Sequence, residues 1–314
     1  TARVWDISGK QLAILEGHKN SVYGASFSQD SKRIVTASLD YTGFIWEASG
    51  KLTAKLKQHQ GGVNSASFSA DGKFIVTASV DQTARVWDLS GKLITSLVTR
   101  DCPINEANFS DDGNLIVTTS QSMGNICLWN LSNRQITTLP EKDLVLEDDF
   151  LPDGFNPIVR FSADGKLILI TSIDGNARVW DATGKLLSVL KHPVRPYDNI
   201  KGASFSYDSK FILTVLNKTA RVWNTSGKQL VEIPESDDAS FSQDGKFIVT
   251  ASANTQENNF DKIISLSQDG KFILAAGSKI RLWNTSGKLL NQFSEGKNSN
   301  LSQNDNKAFY LWNI

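Results

Sequence analysis

Along the whole chain, short runs of alternating or β-branched apolar residues are separated by turns rich in Gly, Asn, Asp and Ser. The stretch from Gly61 to Leu97 shows the parts. GVNSASFS alternates, Asp71-Gly72 turns, FIVTAS is apolar and β-branched, Asp81-Gln82 turns, TARVWD alternates, and Ser90-Gly91-Lys92 leads into LITSL. A period of two puts one face of a strand inward and the other outward, and Asp-Gly suits tight hairpins because glycine accepts positive φ. The pattern predicts four short antiparallel strands and shows none of the 3.6-residue periodicity of a helix. So small a sheet cannot bury both faces alone, so neighbouring units must stack face to face.

The unit recurs. Trp5, Trp46, Trp87 and Trp129 are separated by 41, 41 and 42 residues, and Trp180, Trp223, Trp283 and Trp312 continue the series. A second marker keeps pace: FSQDSK from Phe27, FSADGK from Phe68, FSDDGN from Phe109, FSADGK from Phe161, FSYDSK from Phe205, FSQDGK from Phe241 and LSQDGK from Leu266. A fixed period of this length is the signature of a repeat architecture.

The strand endings TARVWD, ARVWD, ICLWN, RVWN and IRLWN, with Gly17-His18 ahead of the first full unit, resemble the Trp-Asp and Gly-His markers of WD-repeat β-propellers. The likeness covers nearly the whole chain, and its wording is similar to the regular WD arrays of bacteria, notably cyanobacteria. The resemblance implies an all-β propeller of four-stranded blades, with residues 1–314 as one domain. Strand signatures number about thirty, between seven blades and eight; seven is favoured. The N-terminal TARVWD and QLAILE strands are expected to complete a blade begun by the C-terminus. Because the chain starts at Thr1 within a repeat, it is expected to be part of a longer one.

The period breaks in three places. Trp129 to Trp180 spans 51 residues, and the extra PEKDLVLEDDFLPDG holds six acidic residues against one lysine, which reads as a long loop. Phe241 to Leu266 spans only 25, so the unit at Phe241 reads as a truncated repeat that has lost two strands. The last unit, around SNLSQNDNKAFYLWNI, is shortened as well.

Composition narrows the classes of ligand. Lys plus Arg and Asp plus Glu each number 33, so no global field attracts nucleic acid or an anionic membrane. No apolar run approaches the length that spans a bilayer. Cys102 and Cys127 make no metal or disulfide spacing, which suits a reducing, cytoplasmic compartment.

His18, His59 and His192 all stand just before a unit's first strand. In WD-repeat proteins that residue joins a buried tetrad with a Ser or Thr, a turn Asp and the Trp. Carried over by position, the sets are His18, Ser38, Asp40, Trp46 and His59, Ser79, Asp81, Trp87; the unit of Trp223 keeps His192 but has Val215 and Asn217 at the other two places. A Ser, a His and an Asp invite a catalytic-triad reading, but no G-x-S-x-G elbow or oxyanion pocket accompanies them. The Asp-Gly-Lys turns match neither a calcium loop nor a phosphate loop. No cofactor or metal is expected, and the structural reading of these residues outweighs an enzymatic one.

Residues that depart from the repeat at loop positions are the better candidates for binding, since a residue needed for folding recurs in each unit. Tyr23, Tyr41, Arg100, Met123 and Tyr197 qualify, and their types are enriched at interface centres. In WD-repeat propellers these loops share one face. The expectation is a monomeric, non-catalytic platform for a protein or peptide. The alternatives are a structural array without a ligand and a sensor or regulatory region of a larger signalling protein.

Overall fold

A computed structural model describes residues 1–6, 10–99, 103–120, 126–139, 157–172, 174–193, 198–242, 244–252, 264–266, 272–275, 279–294 and 310–313. Among the described residues every regular element is a β-strand, and every pairing is antiparallel between neighbours within a small sheet. The chain divides into two units, residues 1–156 and 157–314.

In the first unit, β1 (Ala2–Trp5) pairs with β2 (Gln11–Leu15). Three four-stranded sheets follow: β3 (Val22–Phe27), β4 (Arg33–Ser38), β5 (Gly43–Glu47) and β6 (Leu52–Leu56); then β7 (Val63–Phe68), β8 (Phe74–Ser79), β9 (Thr83–Asp88) and β10 (Leu93–Val98); then β11 (Ile104–Phe109), β12 (Leu115–Ser120), β13 (Ile126–Asn130) and β14 (Ile136–Leu139). Within each, the order in space is the order in sequence. The second strands, such as FIVTAS in β8, are buried on both faces because the sheet is sandwiched between its neighbours. In these three sheets the tryptophan then fills the space toward the preceding sheet: Trp46 packs with Val4, Ala13 and Leu15, Trp87 with Val35, Ile45 and Leu56, and Trp129 with Val76, Val86 and Leu97. Truncating one of these indoles costs on the order of 3–5 kcal/mol, so the tryptophan period sets the spacing between sheets.

The second unit repeats the plan with β15 (Val159–Phe161), β16 (Leu167–Thr171), β17 (Ala177–Asp181) and β18 (Leu186–Leu190), and with β19 (Gly202–Phe205), β20 (Phe211–Leu216), β21 (Thr219–Asn224) and β22 (Gln229–Pro234). The remaining strands are β23 (Asp238–Phe241), β24 (Phe247–Ser252), β25 (Ile264–Leu266), β26 (Phe272–Ala275), β27 (Lys279–Asn284), β28 (Leu289–Ser294) and β29 (Tyr310–Asn313). They interleave. One sheet has the order β23-β24-β27-β28 and the other β25-β26-β29.

Two expectations are corrected here. The unit at Phe241 does not form a truncated blade: β27 and β28, from the following unit, complete its sheet, with Ile248 opposite Trp283. The third-strand place expected for the N-terminal TARVWD strand is taken otherwise: among the described residues β26 pairs with β29, and β1 pairs with β2. The physical reason is the same in both cases: all Trp strands carry the same pairing pattern, so sequence order alone does not choose among them.

Candidate functional site

The first-to-second-strand hairpins explain the FSxDGK marker. The Ser69 hydroxyl donates to Asp71 (2.7 Å) and accepts from the Phe74 N–H (3.0 Å), while Asp71 accepts from the Lys73 N–H (3.1 Å) and Gly72 sits at φ 66°. Hydrogen bonds from Ser69 and then from the Lys73 backbone hold the Asp71 carboxyl below its usual range. Its oxygens are thus committed to the turn. At the third-to-fourth-strand turns Asp88 accepts from Ser90 and from the Lys92 N–H (3.0 Å), and Asn224 does the same with Ser226 and Lys228 (2.9 Å).

The histidines sit at the opposite ends of the sheets. Trp46 Nε1–H donates to the Thr36 hydroxyl (2.9 Å), which bonds His18 Nε2 (2.8 Å), and His18 Nδ1 bonds Asp40 (2.9 Å). The consistent assignment has Thr36 donating to Nε2 and Nδ1–H donating to Asp40. Trp87, Thr77, His59 and Asp81 repeat the chain at 2.9, 2.7 and 2.9 Å. Burial alone would raise both carboxyls. Hydrogen bonds from Thr42, the Lys19 N–H and His18 outweigh it and hold Asp40 at about 2, and Thr83, Gln60 and His59 do the same for Asp81. Burial pushes His59 down, opposed by Asp81.

The hydroxyl of each set is therefore Thr36 or Thr77, not Ser38 or Ser79. An indole opposite Ile34 reaches its diagonal neighbour Thr36, whereas Ser38 lies one pleat further, roughly 7 Å along the strand. Ser38 instead accepts from the Asp40 N–H (3.1 Å) and donates to Asn20 O (3.3 Å), and Ser79 does so with Asp81 (3.1 Å) and Gly61 (3.2 Å). The signal was present in the sequence: a Thr recurs at 36, 77, 118, 214 and 250. Trp129, Trp223 and Trp283 donate to Thr118, Thr214 and Thr250 at 2.9, 2.8 and 3.1 Å. In the sheet of Trp180 Ile170 takes that place, and the buried Trp180 Nε1–H has no partner among the described residues.

The sheet of Trp223 thus keeps three members. His192 Nε2 accepts from Thr214 (2.7 Å) and its Nδ1–H donates to Leu190 O (3.0 Å), so that a backbone carbonyl takes the place the carboxylate holds in the other two sets. Burial first, then the nearby Arg221 charge, depress it to about 4. Asp174 turns to Arg178 instead, at 2.7 and 3.3 Å. Chemically these sets are closed: hydroxyl, imidazole and carboxylate are buried and spend their hydrogen bonds on one another. Among the described residues no three His, Cys, Asp or Glu side chains gather to hold a metal ion.

A family model described as WD domain, G-beta repeat, matches residues 9–47, 50–88, 158–181 and 184–224. The chain belongs to the WD40-repeat family. Each of the two full-length first matches runs from a fourth strand through the next sheet's third, so the WD40 unit of sequence is offset by one strand from the sheet it helps to build. A search of the curated proteins finds no match. WD40 repeats generally mediate protein–protein interaction and are generally non-catalytic. Among the described residues no helix is long and apolar enough to cross a membrane.

Of the candidate binding residues in this WD40 chain, Tyr23 and Tyr41 are described, and Arg100, Met123 and Tyr197 lie outside the described residues. Tyr23 is the extra residue of a β-bulge, between the pairs Val22–Ser38 and Gly24–Ala37. Asn64 and Asn105 hold the equivalent bulge places in the next two WD40 sheets. The Asn64 amide donates to Ile104 O of the adjacent sheet (2.9 Å), whereas Tyr23 is 63% exposed. Tyr41, 53% exposed, occupies the turn from second to third strand with φ 70°, a left-handed conformation that costs a non-glycine residue about 1 kcal/mol. The Leu39 N–H to Ser21 O bond (3.0 Å) ties the two loops together, so both tyrosines lie at one end of the sheet.

Proposed function

We propose that the chain is a non-catalytic platform that binds a protein or peptide at the sheet ends carrying Tyr23 and Tyr41. The observation that supports this is the bulge: a position that serves sheet-to-sheet bonding as Asn64 carries, in the first full sheet, an exposed tyrosine instead. Bulges re-aim side chains and cluster near functional sites, and Tyr41 beside it is exposed as well, in a turn whose left-handed conformation recurs at Gln82. Arg100, Met123 and Tyr197 join the proposal by loop position alone. The reading takes residues 1–314 as one propeller domain, monomeric and cytoplasmic, without enzymatic activity, cofactor, nucleic acid or membrane among its ligands. The balance of 33 cationic and 33 anionic residues supports the last two exclusions.

The test compares affinity capture by the intact protein with capture by the Tyr23→Ala, Tyr41→Ala double variant, followed by titration of any protein retained only by the former. Binding weakened by about tenfold or more, with an unchanged unfolding midpoint, supports the reading. Equal capture by both, or loss of binding only on altering the opposite turns such as Asp71-Gly72, overturns it.

A further inference from the structure

Two second strands in residues 157–314 offer one pairing pattern to two tryptophan strands. β24 sets Phe247 opposite Asn284 and Ile248 opposite Trp283 of β27. β26 sets Phe272 opposite Asn313 and Ile273 opposite Trp312 of β29. In the other four-stranded sheets the second strand pairs with the strand that follows it directly in sequence. β26 is followed by β27 after only residues 276–278, yet pairs with β29, while β24 reaches β27 across the 26 residues 253–278.

We propose that β27 and β28 exchange as one hairpin between β24 and β26, with β29 taking the third place that the hairpin leaves. The exchange conserves the strand pairs: β24–β27 with β26–β29 becomes β24–β29 with β26–β27. Each tryptophan remains opposite an isoleucine, and Thr250, which accepts from Trp283 at 3.1 Å, meets Trp312 at the same register place. Packing of the buried Ile280 and Leu282 favours the arrangement seen. The shorter connection favours the other, because closing a long loop costs more entropy than closing a tight turn. The two sheets are already neighbours, with β25 packed against β23 and β24, so the hairpin has one sheet spacing to cross.

In either state one sheet has four strands and the other three. Among the described residues the three-stranded sheet ends on a tryptophan strand with no further strand paired to it, and such an edge accepts an added strand from another chain. The exchange therefore moves that edge from one sheet to the next.

Nitroxide labels at Lys210→Cys and Lys288→Cys, in a full-length Cys102→Ser, Cys127→Ser background, report the hairpin's place. Lys210 and Lys288 are exposed turn residues, the first on the sheet that does not take part and the second at the tip of the hairpin. Double electron–electron resonance is expected to give two distance populations. A flexible Gly-Ser insertion of about ten residues between Gly277 and Ser278 lengthens the short β26–β27 connection roughly fourfold but the β24–β27 connection by less than half, and is expected to reduce the longer population at least threefold. A single distance in the parent protein overturns the proposal, and so does a longer population that the insertion leaves unchanged.

Discussion

The hydroxyl of the tetrad is the residue on which sequence and structure part most clearly. Position relative to the turn Asp pointed to Ser38 and Ser79, while cross-strand geometry picks Thr36 and Thr77, which share a sheet face with them one pleat closer to the indole. His18, Asp40, His59, Asp81 and both tryptophans were legible because they recur at fixed spacing; the hydroxyl was not, because FIVTAS offers two on one face. Thr77→Val leaves a buried indole N–H and an imidazole nitrogen unpaired and is expected to cost about 1–3 kcal/mol. Ser79→Ala removes the 3.2 Å bond to Gly61 O and the 3.1 Å bond from the Asp81 N–H, leaves the Trp87–Thr77–His59 chain intact, and is expected to cost less, roughly 0.5–1.5 kcal/mol. Urea midpoints of the two variants decide the matter, and equal losses would return Ser79 to the set. The same network sets a pH response. His192 titrates at about 4 in the fold against 6.5 unfolded, so the fold favours its neutral form, and that stability is full above about 6.5 and is lost as pH falls toward 4. Asp40 and Asp81, at about 2 against 3.8, contribute above 3.8 and lose that contribution only as pH falls toward 2. The urea midpoint is therefore expected to fall in two steps, with His192→Gln flattening part of the upper one. A midpoint that stays level from pH 7 to about 4.5 contradicts the assignment.

At the scale of elements, hairpins and strands were read from alternation and turn chemistry, and the described residues bear out that reading from Val22 to Leu139. The partner of each strand was legible only where the next strand in sequence is also the next in space. Between Phe241 and Asn313 that condition fails, and a repeat that looked shortened proves to be interrupted by β25 and β26. Turn glycines carry information of a second kind. Gly72 (φ 66°) has open space where a Cβ would stand, so Gly72→Ala costs only the backbone strain, about 1–2 kcal/mol. At Gly287 (φ 83°) a Cβ would lie 2.6 Å from Val231 Cγ1 on β22 of the adjacent sheet, so strain and a clash combine. Gly287→Ala is expected to lower the thermal midpoint more than Gly72→Ala. The reverse order would show that the third-to-fourth-strand turn does not set the approach of the two sheets.

For the molecule as a whole, the WD40 architecture was legible from a period of about 41 residues, because one buried tryptophan per unit dictates one sheet per unit. The family model stops short of the sheet from Ile104 to Leu139, although its strands and its Trp129–Thr118 bond are intact. What that sheet shares with the others is a small set of polar contacts, and only a few letters of sequence encode them. One of these contacts frees something else. The residue that ends four of the tryptophan strands serves its turn through a single side-chain oxygen, supplied by the carboxylate of Asp88 and Asp181 and equally by the carboxamide of Asn224 and Asn284. The fold thus asks for an acceptor there and is indifferent to its charge. Each such substitution adds or removes a unit of surface charge without touching a core, so lineages of this scaffold can drift in isoelectric point, and with it in solubility and in the sign of the partners they attract, while the architecture stays fixed.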